Sequence, residues 1–155
     1  MRTILNIVED EMELTRQLIA KSYSDKGLKA SGKFEKSLEV ITSQSGNNIK
    51  STLMGAFHSY FMENGRQPNR EQGIQQARSL GKILEQWVKD KGISVNPYAA
   101  AWKIVREGIK VPNKHNPGGV VSDVINAQWL DNLEAKLREH TILNIKSDML
   151  KTWQQ

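Results

Sequence analysis

Apolar positions recur along this chain with two periods, and each period predicts a different element. From Thr3 to about Ser24, Ile4, Ile7, Val8, Leu14, Leu18 and Ile19 keep near-helical spacing behind Thr3, a candidate N-cap, and predict an N-terminal amphipathic helix. Phe34, Lys36, Leu38, Val40 and Thr42 then alternate with more polar neighbours. After the turn-forming Ser45-Gly46-Asn47-Asn48, the period of two resumes through Ile49, Ser51, Leu53, Gly55, Phe57 and Phe61. These runs predict an antiparallel hairpin, with a bulge or bend at Gly55 and a tight turn at Asn64-Gly65 closing the second strand.

Helical spacing returns at Leu80, Ile83, Leu84, Trp87 and Val88, and this helix is expected to stop at Gly92 after Lys89, Asp90 and Lys91. Asn96-Pro97 has the composition of a helix start, with Asn as N-cap and Pro at the first helical position. Tyr98, Ala101, Trp102 and Val105 form the second stripe, Gly108 closes it, and Ala99-Ala100-Ala101 leaves one side without bulk for close backbone approach. Val120, Val121, Val124 and Ile125 fit a short strand or a first helical turn. Beyond Asn126, Trp129, Leu130, Leu133 and Leu137 predict a C-terminal helix that continues through Ile142, Ile145, Met149, Leu150 and Trp153. Two stretches rich in Pro, Asn and Gly, Gln67 to about Ala77 and Lys110 to Gly119, read as long irregular arms.

The expected fold is α+β: a small antiparallel hairpin sheet packed against several amphipathic helices, with long irregular loops. The N-terminal helix is expected on the outside and Trp87, Trp102 and Trp129 in the core. The 155 residues fit a single domain: residues 1–29 a helix, 30–126 the hairpin and two-helix core, 127–155 a C-terminal helical segment.

Composition narrows the chemistry. Hydrophobic residues at 38% and charged residues at 25% belong to a soluble globular chain slightly on the polar side, a composition that fits burial completed by assembly. No apolar run approaches the roughly 20 residues needed to cross a bilayer. Glu9, Asp10, Glu11 and Glu13 stand where a secretion signal would need its apolar core. With no cysteine, thiol catalysis, disulfides and Cys-type zinc sites are excluded.

His58, His115 and His140 are scattered over three expected elements without metal-ligand spacing, so no metal site is read from them. The early acidic run reads more simply as a helix start favouring the positive dipole end than as paired catalytic carboxylates. No glycine-rich phosphate cradle follows a strand. No catalytic, metal or cofactor residue is therefore expected, and an enzyme is not the reading.

The net charge of +5 gathers in two clusters: Lys26, Lys29, Lys33 and Lys36, and then Lys103, Arg106, Lys110 and Lys114. Either cluster reads as a solvated face or as a surface touching phosphates without reading sequence. The second cluster is the candidate DNA-facing set, and a basic, non-sequence-specific DNA-binding accessory protein is the alternative function.

The order of these pieces resembles the tail-completion or neck proteins of tailed bacteriophages, the head-tail connector family. Carrying the likeness are Gly65, Arg66 and Pro68, the helix end W-V-K-D-K-G-I from Trp87 to Ile93, and the Ala-rich helix ending I-V-R-E-G from Ile104 to Gly108. The upstream stretch A-S-G-K-F-E-K-S-L-E-V, Ala30 to Val40, fits as well, so the likeness spans roughly residues 30 to 126.

The resemblance implies a structural virion protein, assembled in the host cytoplasm and resident in the neck or tail region. Six or twelve copies would form a closed ring joining portal to tail, with portal or adaptor and tail proteins as partners. Genomic DNA would run through its channel, and no membrane would be involved. A closed ring needs two different complementary patches per subunit. The candidate interface residues are Arg66, Pro68, Asn69 and Arg70 on the first arm, Lys110, Pro112, Asn113 and Pro117 on the second, and Trp153 near the end.

Overall fold

The structure, a computed structural model, describes residues 3–69, 71 and 73–153, with the backbone alone at 152 and 153. The fold is α+β. In chain order the elements are α1 (Ile4–Asp25), α2 (Lys33–Ser37), β1 (Glu39–Ser45), β2 (Asn48–Met54), α3 (Ser59–Asn64), α4 (Gly73–Lys91), α5 (Pro97–Glu107) and α6 (Ala127–Trp153).

α1 starts where its cap dictates. The Thr3 hydroxyl accepts from Asn6 N–H at 3.2 Å, and the Asn6 side chain accepts in return from Thr3 N–H at 3.0 Å. The expected acidic first turn is a misreading: α1 begins five residues before Glu9, beyond the reach of its N-terminal dipole. Those acids make side-chain ties instead, Glu13 to Arg16 on α1 and Glu11 to Lys136 on α6 at 2.5 Å.

β1 and β2 form a two-stranded antiparallel sheet paired from Glu39–Met54 to Ser45–Asn48 across the two-residue turn Gly46-Asn47. Both strands are shorter than expected. Phe34 and Lys36 lie on α2, because the core takes Phe34 at 2% exposure with its ring 4.5 Å from that of Tyr23. Phe61 and the Asn64-Gly65 step belong to α3 and its end, where Gly65 N–H bonds back to the Phe61 carbonyl at 2.9 Å. His58, expected on a strand, occupies the N-cap position of α3 without a side-chain capping bond.

The main core gathers Ile19 and Tyr23 of α1, Phe34, Leu38 and Val120, with Leu53, Met62, Val121 and Val124 packed around it. α1 is therefore not an outer helix: it lies between the hairpin and α6. The valine segment 120–125 is a series of turns that plugs this core. A two-stranded hairpin cannot stand alone in water, and α1 supplies the cover it needs.

α4 and α5 form a separate antiparallel unit. The junction between them is the one expected: α4 gives way at Gly92, and Asn96 Oδ1 accepts from Tyr98 and Ala99 N–H at 3.0 and 3.1 Å. The helices meet through small residues: Ala77, Gly81 and Ala101 are buried beside Val105, and a Cβ on Gly81 would overlap the Tyr98 ring. The large aromatics stay outside, with Trp87 at 41% and Trp102 at 48% exposure, against the expectation that they anchor the core. Trp129 is half-buried, donating through its indole N–H to the buried Thr15 hydroxyl at 2.8 Å.

Candidate functional site

The two units join where α3 and α5 end. Gly65 and Gly108 follow these helices with φ of 74° and 76° and ψ of −167° and −171°, backbone that side-chain-bearing residues essentially do not adopt. The residues after them, Arg66 and Ile109, pair as an isolated antiparallel bridge, exchanging N–H to carbonyl bonds of 2.8 and 2.7 Å. A Cβ on Gly65 would overlap the Ile109 carbonyl oxygen, and one on Gly108 the Arg66 carbonyl oxygen. Each glycine thus both terminates its helix and admits the opposite backbone. Along the chain Gly65 and Gly108 are two separate stops, and only the fold brings them together.

This crossing shortens and ties the first arm. α4 begins at Gly73, so Ala77 is a buried helical residue, and Asn69 N–H donates to the Val105 carbonyl at 2.8 Å. The second arm is likewise ordered by its own side chains. Asn113 Oδ1 accepts from His115 and Asn116 N–H at 2.8 and 3.0 Å, while Asn116 Nδ2 donates to the Met62 carbonyl at 2.8 Å. Lys110, Pro112 and Pro117 stay exposed on it. The second arm is irregular as expected, and the first is shorter than expected because α4 starts at Gly73. Arg70 and the Trp153 side chain lie outside the described residues.

Glu63 clamps the second arm's exit. Its carboxylate accepts from Val121 and Ser122 N–H, both at 3.2 Å, and from the Ser122 hydroxyl. Burial pushes this carboxyl up, but the hydrogen bonds from Ser122, Val121 and Val120 outweigh it and hold it below its ordinary value.

Beside the crossing lies an open groove of about 580 Å³ lined by Phe57, Tyr60, Phe61, Arg66, Pro68 and Asn69. Phe57 is 80% exposed, its ring edge-on to Phe61 at 5.5 Å, and the Arg66 guanidinium sits 6.0 Å over the Phe61 ring. Arg66, Pro68 and Asn69 of the expected interface thus share one surface with an aromatic cluster. The clue in the sequence is the near-helical spacing of Phe57, Tyr60 and Phe61, which the alternation through Phe57 and Phe61 hides.

The basic clusters are partly neutralised. Lys26 pairs with Asp123 at 2.7 Å and Lys29 with Glu35 at 3.1 Å, leaving Lys33 and Lys36 exposed. In the second cluster Arg106 pairs with Glu107 at 2.7 Å, and this hydrogen bond lowers the Glu107 carboxyl. Lys103, Lys110 and Lys114 are exposed. Among the described residues no group of three or more His, Cys, Asp or Glu is placed to hold a metal ion, and no helix is long and apolar enough to cross a membrane.

Compared with protein-family models, curated proteins and solved structures, the chain matches none.

Proposed function

We propose that this protein is a structural component of the neck of a tailed bacteriophage, closing into a ring that joins head to tail. The observation that carries the reading is surface area. The chain exposes 11159 Å², whereas a compact monomer of its 17.6 kDa exposes about 7,900 Å². The excess of about 3,000 Å² is comparable to what two sizeable interfaces remove from one subunit, at roughly 800 Å² or more a side. Much of it is apolar: Phe57, Tyr60, Ile74 and Ile83 are all more than half exposed. A subunit of a closed ring presents two such patches by necessity. The order of residues around Gly65, Trp87 and Gly108 that resembles the neck family adds support from the sequence.

On this reading the aromatic groove with Arg66, Pro68 and Asn69 is one interface, and the exposed side of the α4–α5 unit is the other. The DNA-binding alternative has less behind it, since the ion pairs of Lys26, Lys29 and Arg106 reduce the charge open to phosphates. Negative-stain imaging of the purified protein, alone and mixed with tail-less particles, tests the proposal. Rings of six or twelve copies, or density at the portal vertex, are expected. A protein that forms no ring and leaves particles unchanged, yet binds DNA with affinity falling steeply with salt, would overturn it.

A further inference from the structure

α6 changes the side on which it is apolar. At about 100° per residue, Trp129, Leu133 and Leu137 lie on one stripe, and these are half-buried. His140, Asn144 and Ser147 continue that stripe as half-buried polar residues. The apolar residues past this point lie off that stripe: Ile142 at 45% and Met149 at 55% exposure on the opposite side, Leu143 at 56% and Leu150 at 64% about a quarter turn away, on the flank next to Ile142 and Met149. Thr15 meets Trp129 and Glu11 meets Lys136, so α1 and α6 run antiparallel, and α1 begins at Ile4. A helix cannot turn its far side toward its own neighbour. The chain that covers the first apolar stripe therefore cannot cover the second.

The charges flanking the second stripe say what can. The same outward face carries Glu139 one turn before its apolar centre and Lys146 one turn after it, both exposed and neither in an ion pair within the described residues. We propose that this face of α6 pairs with the same face of a second copy of the chain, antiparallel, about a two-fold axis between Ile142 and Leu143. That register sets Glu139 opposite Lys146 of the second copy twice over, and Ala135 opposite its Leu150, so a small side chain faces a large one. A parallel pairing would oppose Lys146 to Lys146 and Glu139 to Glu139, which is repulsive. The self-complementary charge order selects a second copy over an unrelated protein. An isologous pair neither requires nor excludes a ring, so this inference is independent of the neck proposal.

The test is sedimentation of the full chain over a concentration series, with charge variants. A dimer is expected, or even-numbered assemblies built from dimers. Glu139→Lys or Lys146→Glu alone should weaken pairing by about tenfold or more, and the two together should restore it. Both sites are exposed, and an unchanged melting curve verifies that the variants fold. Because the chain has no cysteine, Ala135→Cys mixed with Leu150→Cys should form a disulfide that Ala135→Cys alone does not.

A monomer at every concentration up to about 100 μM would overturn the proposal. So would an Ala135→Cys disulfide with itself, or an assembly indifferent to both charge variants. If that indifferent assembly is a ring, the neck reading stands while the α6 pairing fails; a dimer that never forms rings does the reverse.

Discussion

The two units on either side of the Arg66–Ile109 crossing bury themselves by opposite means. The unit of α1, the hairpin and the valine turns fills its core with large side chains, Ile19, Phe34 and Val120, each at 2% exposure or less. The α4–α5 unit closes on small ones, Ala77, Gly81 and Ala101, and leaves Trp87 and Trp102 outside. A core of large residues fixes a shape by itself, because each removed methylene leaves a void. A helix pair closed on alanine and glycine fixes only the approach of two backbones, and its bulky residues remain available to a neighbour. The first unit thus keeps its large apolar side chains inside, and the second leaves them at the surface.

Substitutions sharpen that contrast. Phe34→Ala should have the largest effect, a loss of about 3–5 kcal/mol in urea unfolding, since Phe34 has no route to solvent. A loss under about 1 kcal/mol would mean the first unit is not the stable one. Gly65→Ala should cost about 2–3 kcal/mol, combining a positive φ with the Ile109 carbonyl overlap. If the crossing alone couples the units, hydrogen exchange in this variant should rise in α4 and α5 before it rises in α1.

Glu63→Gln should cost about 1 kcal/mol near neutral pH by replacing charge-assisted hydrogen bonds with weaker ones. The sign with pH follows from the lowered folded-state value. The Glu63 contribution is fully present above the ordinary value of 4.5 and is lost as pH falls through the folded value. Melting temperatures from pH 7 to about 3 should therefore show the wild-type advantage shrinking below 4.5. An advantage constant with pH would mean that the carboxylate charge is not what holds the arm. Smallest of all, Trp102→Ala should change monomer unfolding by about 1 kcal/mol or less, given its 48% exposure, while reducing any ring population. Equal losses from Trp102→Ala and Phe34→Ala would erase the distinction between the units.

Local signals carried much of the fold. Asn96-Pro97, Gly92 and Gly108 bound α4 and α5 correctly because capping is satisfied by atoms within one or two turns. Alternation misled at Phe34 and Phe61, where helices of five and six residues replace strand ends. A helix that short has too few positions to show its period, and core packing of Phe34 decides the matter. The candidate site was legible in part: Arg66, Pro68 and Asn69 lie on the arm expected to form an interface, but strand alternation hides the aromatic cluster beside them.

The sequence by itself determined where α1, α5 and α6 start, where α4 and α5 stop, that the fold mixes helices with one hairpin, and that thiol chemistry is absent. It also contained the shift of α6's apolar side, since residue spacing alone places Ile142 opposite Leu133 and Leu143 about a quarter turn from it. Only the tertiary structure decided that α1 is central, that Gly65 and Gly108 stand back to back, and which side of α6 is already covered. Caps and periods are set by neighbours along the chain. Pairing Arg66 with Ile109, or Thr15 with Trp129, depends on how segments far apart in sequence share one limited volume.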